Sequence, residues 1–287
     1  MYQYLESVDD SLLMRSSGLW AAVKLDYLRR YIDLFETSMR DKWSIRNYID
    51  LMAGPGKNRI RGTRQVLLGS PLIALNTKHP FTSYYFIDLD LKNTKVLEER
   101  CKASPYRERI HIKTGDCNLL VNDIVNELKL NENRSLNLAF LDPEGLELHW
   151  DTVAKLASIR RLDLVINYPE GGLTRSMAKF YQSSNVTNID LFFGNSKWRS
   201  IYAECKQKRG VHRDLIDLYR VSLQQLGYQE VVRSDEVGGQ EPLIRNSKRN
   251  APLYRLIFAS KHSLGDKFWR AITQRDVYGQ RRLLDSF

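Results

Sequence analysis

One stretch of this chain constrains its fold more than any other: a strand-like run that ends in a carboxylate and two glycines. Residues 45–52 are rich in apolar side chains, Asp50 lies near their end, and Gly54 and Gly56 follow one residue apart. The run is typical of a buried strand, and the glycines predict a tight turn, because glycine accepts positive φ and lets the backbone approach a ligand. In open α/β sheets such a turn lies at the carboxyl edge of a central strand, where ligands bind. A lone Gly-x-Gly also occurs in ordinary turns, so the pattern downstream has to decide.

Strand-like and helix-like segments alternate after this turn, which predicts a mainly parallel α/β sheet. Four further strands are predicted over 83–90, 109–114, 136–141 and 162–168. The last two predicted strands, 227–233 and 253–260, have no helix between them. They therefore predict an antiparallel hairpin at the end of the sheet.

Helices are predicted on both sides of the glycine turn. The apolar spacing over residues 18–39 predicts an amphipathic helix with Ser17 as its N-cap, and Ser70-Pro71 predicts the start of a short one. The expected organisation is an N-terminal helical extension over 1–44, an α/β domain over 45–262 and a C-terminal helical tail over 263–287.

Carboxylates stand at the ends of the predicted strands, on the same edge as the glycine turn. Asp88 is placed to accept hydrogen bonds from ribose hydroxyls, whereas Asp90 is predicted to cap the following helix. Asp116 can accept from the exocyclic amine of an adenine, but as a helix cap it needs no ligand. In Asp142-Pro143 the proline rigidifies the turn and fixes where the carboxylate and the proline carbonyl point. An enzyme needs such rigidity to hold an acceptor amine or hydroxyl in line with a donor.

The composition favours an anionic partner. The chain has 287 residues and a formal net charge of +10, and its cations gather in two loops, 57–64 and 245–249. Such loops can grip a phosphate backbone, although they are equally compatible with a solvated surface. The three cysteines show neither metal nor disulfide spacing, no apolar run could span a bilayer, and residues 1–10 do not resemble a secretory signal. We therefore expect a reduced, cytoplasmic protein without a structural metal.

These motifs resemble those of a known family. Asp50-Leu-Met-Ala-Gly-Pro-Gly is similar to the Asp-Leu-Phe-Ala-Gly-x-Gly motif of S-adenosylmethionine-dependent RNA and DNA methyltransferases. More closely, the chain resembles the three-Cys-motif partner protein family, over most of residues 24–272. The matching segments are 48–56, 69–72, 115–118, 140–146 and 253–262.

The resemblance implies a fold, a cofactor and partners. The fold is a Rossmann-like class I methyltransferase fold, with a seven-stranded, mostly parallel sheet that ends in an antiparallel hairpin. The cofactor is S-adenosylmethionine, and the partners are nucleic acid, with RNA favoured, and a companion protein carrying three cysteines, of the iron–sulfur radical type. The setting is bacterial or phage. The implied cofactor-binding residues are Asp50, Ala53, Gly54, Gly56, Asp88 and Asp116, and the implied catalytic residues are Asp142, Pro143 and Glu144.

One departure from the pattern concerns the acceptor. Amine methyltransferases usually carry Asp/Asn-Pro-Pro-aromatic, whereas this chain has Asp-Pro-Glu-Gly and lacks the stacking residue there. Trp150 or Tyr168 is a candidate substitute, and Glu144 a candidate general base. The cations expected to bind substrate are Arg59, Arg61 and Arg64.

Two alternatives stay open. A dinucleotide dehydrogenase would need a third glycine near Arg59, where this chain has none. A catalytically silent module would use the same fold to bind nucleic acid or the companion protein, without methyl transfer.

Overall fold

Two sheets organise the computed structural model, which describes residues 3–205, 210–229 and 241–274. The strands are β1 (Glu6–Ser7), β2 (Arg15–Ser17), β3 (Ile45–Asp50), β4 (Lys57–Ile60), β5 (Val66–Leu68), β6 (Ser83–Asp88), β7 (Ile110–Thr114), β8 (Ser135–Leu141), β9 (Leu162–Tyr168), β10 (Leu243–Arg245) and β11 (Pro252–Ala259). The helices are α1 (Trp20–Met39), α2 (Ser70–Leu75), α3 (Leu91–Cys101), α4 (Cys117–Lys129), α5 (Trp150–Ala157), α6 (Glu170–Phe180), α7 (Asn188–Phe193), α8 (Lys197–Cys205), α9 (Val211–Gln225) and α10 (Ser263–Thr273).

The larger sheet has seven strands in the order β10-β11-β9-β8-β3-β6-β7. Strands β3, β6, β7, β8 and β9 are parallel, whereas β11 is antiparallel to both of its neighbours. This arrangement confirms the predicted Rossmann-like class I methyltransferase fold. The chain order reverses at β3, so the glycine turn lies at the switch point where open α/β sheets bind ligands.

Side chains alternate across this sheet and build an apolar core on each face. From β3, Ile49 belongs to a core that includes residues of α4, α5 and α9, while Tyr48 belongs to the core on the other face, which includes residues of α1, α2 and α10. In α10, Trp269 stacks on Phe258 of β11 at a ring-centroid distance of 5.1 Å. The described part of the predicted C-terminal tail therefore belongs to the core.

The smaller sheet was not predicted. Its order is β1-β5-β4-β2. From the predicted helical extension, β2 pairs with β4 in the predicted basic loop 57–64, and β1 pairs with β5 just after that loop. Ser17 lies in β2 and is not the cap of α1, whose N-cap residue is Leu19. These strands have two to four residues, which is too short for a recognisable alternation, and their partners are distant in sequence. The consequence is that β2 lies beside the segment that follows the glycine turn.

The edge of the larger sheet also differs from the prediction. Of the predicted strand 227–233, residues 230–233 lie outside the described residues, and 227–229 form no strand. The strand that pairs with β11 is β10, with Leu243 opposite Arg255. Because Arg255 is opposite Tyr168 at the end of β9, the β10–β11 turn lies at the carboxyl edge of the sheet. Both predicted cationic segments therefore lie at the ligand-binding edge.

Candidate active site

The glycine turn depends on the glycines at positions 54 and 56. Gly54 and Gly56 have φ of +62° and +87°, in the left-handed region that favours glycine. A Cβ at Gly56 would lie 2.9 Å from Leu97 Cδ1 and 3.2 Å from Leu72 Cγ. The Gly54 amide donates to Asp88 Oδ2 at 2.8 Å, which ties the turn to the end of β6.

A cleft of about 830 Å³ opens beside this turn; we call it the donor cleft. Asp88 and Asp116, the two carboxylates predicted to bind a nucleoside, both line it. Asp88 also accepts hydrogen bonds from the Asp90 amide and Asn93 Nδ2, both at 2.9 Å, and is therefore held in one orientation. Asp116 caps α4 by accepting from the Asn118 amide at 2.8 Å and remains exposed. The predicted cap role of Asp90 is confirmed, since its side chain accepts from the Lys92 amide.

Asp50 supports the turn from beneath instead of facing the cleft. Its side chain is fully buried and lines neither cavity at this edge, and Oδ1 accepts from the Met52 amide at 3.3 Å. Burial raises the pKa of the Asp50 carboxyl to about 7. The burial of Asp50 therefore does not support its predicted contact with a cofactor. Nothing in an apolar run shows whether a carboxylate ends above or below the turn.

A second cavity, of about 360 Å³, lies on the other side of the same turn; we call it the acceptor cavity. Ala53, Gly54 and Gly56 form part of its wall. Its other lining residues include five cations, two aromatic rings and polar groups from the ends of β8 and β9. These are Arg15, Lys24, Lys57, Arg61, Arg175, Trp20, Tyr254, Asp142, Pro143, Glu144 and Asn167.

Asp142 is already engaged within the protein. Lys24 Nζ donates to its two carboxylate oxygens at 2.7 and 2.6 Å, and Asn167 Nδ2 donates to Oδ1 at 2.8 Å. Asn167 is 1% exposed, and its Oδ1 has no hydrogen-bond partner among the described residues. The Pro143 carbonyl also faces this amide, at 3.4 Å from Asn167 Nδ2. Asn167 Oδ1 is therefore an unpaired, buried acceptor atom behind this wall, and Asp142 fixes the orientation of its amide.

Glu144 stands where the two cavities meet. Both cavities are lined by Arg15, Met52, Asp142 and Glu144. The Glu144 carboxylate forms an ion pair with the Arg15 guanidinium, with side-chain exposures of 71% and 30%. The turn beneath is held by Glu147, which accepts from the Glu144 amide and from the Gly145 amide. Glu144 is thus accessible from both sides of a rigid turn.

The two aromatic residues predicted to stack on a base are elsewhere. Tyr168 is fully buried and packs against Phe192 at a centroid distance of 5.8 Å. Trp150 packs edge-on against Tyr219 at 5.0 Å, and it lines neither cavity. The side-chain alternation of β9 sends Tyr168 into the core and Asn167 into the acceptor cavity. The positions of Trp150 and Tyr168 therefore do not support the two stacking predictions.

The three predicted substrate-binding arginines have different surroundings. Arg59 forms an ion pair with Asp9, so its charge is used within the protein. Arg61 lines the acceptor cavity, and its guanidinium lies over the Trp20 ring, 5.0 Å from the centroid. Arg64 is exposed and lines neither cavity.

Sequence reasoning missed Arg15, Lys24 and Asn167 as site residues. Lys24 carried a recognisable signal, because it lies on the apolar stripe of the predicted helix, four residues after Trp20. Asn167, like Asp163, is a polar residue inside a mainly apolar strand, which is a similar signal. Arg15 carried none, because its place depends on the unpredicted pairing of β2 with β4.

Two kinds of feature are absent from residues 3–205, 210–229 and 241–274. In these ranges no group of three or more His, Cys, Asp or Glu side chains is arranged to hold a metal ion. No helix there combines the length and the apolar character needed to cross a membrane.

Comparisons with known proteins give only remote structural similarities. No family model and no curated protein sequence matches the chain. The O-methyltransferase from Bacillus cereus, solved in complex with SAH, is 8% identical, with 81% of this chain and 80% of that chain covered and a TM-score of 0.42. A geranyl diphosphate methyltransferase in complex with SAM is 12% identical, with 90% and 97% covered and a TM-score of 0.36. A Legionella pneumophila protein is 14% identical, with 58% and 76% covered and a TM-score of 0.41.

Proposed function

We propose that this chain is an S-adenosylmethionine-dependent methyltransferase that acts on nucleic acid, with RNA as the favoured acceptor. One observation carries the proposal: two chemically different cavities meet at the turn that carries Asp142, Pro143 and Glu144. A two-substrate transfer needs such a junction, because donor and acceptor must be held in line at close range.

The donor cleft fits an adenosine-containing ligand. Asp88 can accept from ribose hydroxyls at the end of the strand beside the glycine turn, and Asp116 can accept from an adenine amine. The Gly54 amide donates to Asp88 Oδ2, so the glycine turn holds this carboxylate in place at the cleft. When bound, S-adenosylmethionine would supply an electrophilic methyl group.

The acceptor cavity fits an unpaired nucleotide. Trp20 and Tyr254 offer aromatic surface, and stacking on such rings tolerates any base. Arg61 and Arg175 line the cavity and have no carboxylate partner among the described residues, so they are available to a phosphate group. Single-stranded RNA presents both features, an exposed base face and a phosphate within reach.

The residues at the junction divide the chemical work. Asn167 Oδ1 accepts a hydrogen bond from the attacking amine or hydroxyl and orients it. Asp142 acts as a positioning residue, because it holds the Asn167 amide and the Lys24 ammonium. Glu144 takes the proton that the acceptor loses, on a carboxylate oxygen that reaches both cavities.

A second function is favoured by a specific observation. Asp142 is already hydrogen-bonded by Lys24 and Asn167, and Glu144 is paired with Arg15, so every carboxylate at the junction has a partner. A catalytically silent module that binds nucleic acid, or a three-cysteine companion protein as the family resemblance implies, would have such a site. It predicts binding without methyl transfer.

The test has two stages. Titration calorimetry should detect S-adenosylmethionine binding that Gly54→Trp and Asp88→Ala abolish; unchanged affinity in both variants contradicts the donor site. Radiolabelled S-adenosylmethionine should then be incubated with separate pools of tRNA, rRNA, duplex DNA and protein, with and without the companion protein. Label in an RNA pool that Asn167→Ala removes supports the proposal. Cofactor binding with no label in any pool supports the silent module.

A further inference from the structure

We propose that Arg15 binds the carboxylate of the donor's methionine moiety, and that it exchanges its partner Glu144 for this carboxylate when the donor binds. The inference rests on the proposed function, since it takes S-adenosylmethionine as the ligand. It assigns a role to an ion pair that the transfer chemistry itself does not explain.

Arg15 is held close to the glycine turn. Its strand β2 is held parallel to β4, with Arg15 opposite Asn58, so its backbone is fixed by a sheet. A Cβ placed on Gly54 would lie 3.9 Å from Arg15 Nη1. The guanidinium therefore lies close to the glycine turn, and Arg15 lines the donor cleft that also contains the predicted ribose site at Asp88.

Few other cations could bind a carboxylate in the donor cleft. Of the described lysines and arginines, only Arg15 and Lys92 line the donor cleft. Lys92 lies at the start of α3, where its amide bonds Asp90, and this is the nucleoside end of the cleft. Lys24 and Lys57 reach the other cavity, and each is already paired, with Asp142 and with Asp10. Arg15 is thus the cation at the end of the donor cleft where the carboxylate of the donor's methionine moiety would lie.

The ion pair between Arg15 and Glu144 is exposed to water. Glu144 is 71% exposed, and exposed ion pairs are weak because water solvates both separated charges. A ligand carboxylate that meets the planar guanidinium with two parallel hydrogen bonds can displace it. Displacement would leave Glu144 free at the junction, so donor binding would prepare the group that takes the acceptor's proton.

Two ligands isolate the contribution of the carboxylate. S-adenosylhomocysteine carries the amino-acid group, whereas 5′-methylthioadenosine keeps the nucleoside and thioether and lacks it. Titration calorimetry on the full chain should show that Arg15→Gln weakens S-adenosylhomocysteine binding about 10- to 100-fold, as expected for loss of a hydrogen bond to a charged group. Binding of 5′-methylthioadenosine should change less than about twofold, which also shows that the variant is folded. Arg64→Gln, a charge-matched change at an exposed arginine outside both cavities, should affect neither ligand.

The exchange of partners predicts the opposite effect for a change at Glu144. Glu144→Gln should tighten S-adenosylhomocysteine binding by about two- to fivefold, because the ligand no longer competes with a resident carboxylate for Arg15. Its affinity for 5′-methylthioadenosine should stay the same. If Arg15→Gln binds S-adenosylhomocysteine as the unmodified chain does, the anchor is wrong. If Glu144→Gln leaves that affinity unchanged or lowers it, the exchange is wrong. An unmodified chain that binds neither ligand overturns the proposed function as well.

Discussion

Two ion pairs join the N-terminal segment to the turn after β8, and they differ in burial. Lys24 and Asp142 have side-chain exposures of 10% and 9%, whereas Arg15 and Glu144 have exposures of 30% and 71%. The two carboxylates are only two residues apart in sequence. Their environments, not their residue types, give one a fixed structural role and leave the other exchangeable.

The physical reason is the cost of removing charge from water. A buried charge that loses its partner is left in a medium that solvates it poorly, at a cost of about 3–5 kcal/mol. An exposed charge recovers most of the loss by hydration, so an exposed pair contributes about 0–1 kcal/mol. The buried pair can therefore position Asn167, and the exposed pair can change partners.

The largest expected effect is on stability. Lys24→Met should lower the free energy of unfolding by about 3–5 kcal/mol, because Asp142 would stay buried without a cation. Arg15→Met is the matched control and should cost less than about 1 kcal/mol. Urea denaturation followed by circular dichroism measures both. Equal losses in the two variants would contradict the distinction between the pairs.

The carboxyl group of Asp50 is a third case. It is buried, and among the described residues no cation forms an ion pair with it. Its pKa is raised from 3.8 to about 7, so the native state binds more protons than the unfolded state between these values. Stability should therefore fall as pH rises through this window. Asp50→Asn should remove this fall, with a gain over the unmodified chain on the order of 3 kcal/mol at pH 8 and almost none at pH 4. Denaturant midpoints of both proteins at the two pH values measure this difference in stability. A difference that does not depend on pH would contradict the raised pKa of Asp50.

A smaller effect concerns the aromatic wall of the acceptor cavity. Tyr254→Leu should weaken binding of a short single-stranded RNA by about 1–3 kcal/mol, the contribution of one stacked base. Tyr106→Leu is a suitable control, because Tyr106 lies before β7, at the opposite edge of the sheet. Filter binding at fixed salt measures both variants. Equal affinities would place the RNA outside this cavity.

The smallest effect is on salt dependence. Arg61→Glu should reduce the slope of log affinity against log salt by about 0.7, the value for one phosphate contact on a single strand. Arg59→Gln should change it much less, since Arg59 is paired with Asp9. Filter binding at two salt concentrations measures the slopes. A slope unaffected by Arg61→Glu would indicate a protein partner on this surface.

Much of the framework could be predicted because its signals are local. The predicted and observed bounds of β9 agree at residues 162–168, and Asp90 caps α3 as expected. Strand periodicity, helix caps and glycine turns depend on neighbouring residues, so a linear sequence contains them. Parallel strands further require that their carboxyl ends share one edge, which was enough to place Asp88, Asp116 and Asp142 together.

Local signals in the sequence predict the five parallel strands, the helices between them, the glycine turn and the edge at which a ligand would bind. Only the tertiary structure decided which side chains face that ligand. It buried Asp50 and Tyr168, placed Asn167 in the wall of the acceptor cavity, and brought Arg15 to Glu144 across 129 residues of sequence. The reason is physical: the face a residue presents, and the charge it meets, depend on strand pairing and burial between segments that are far apart in the chain.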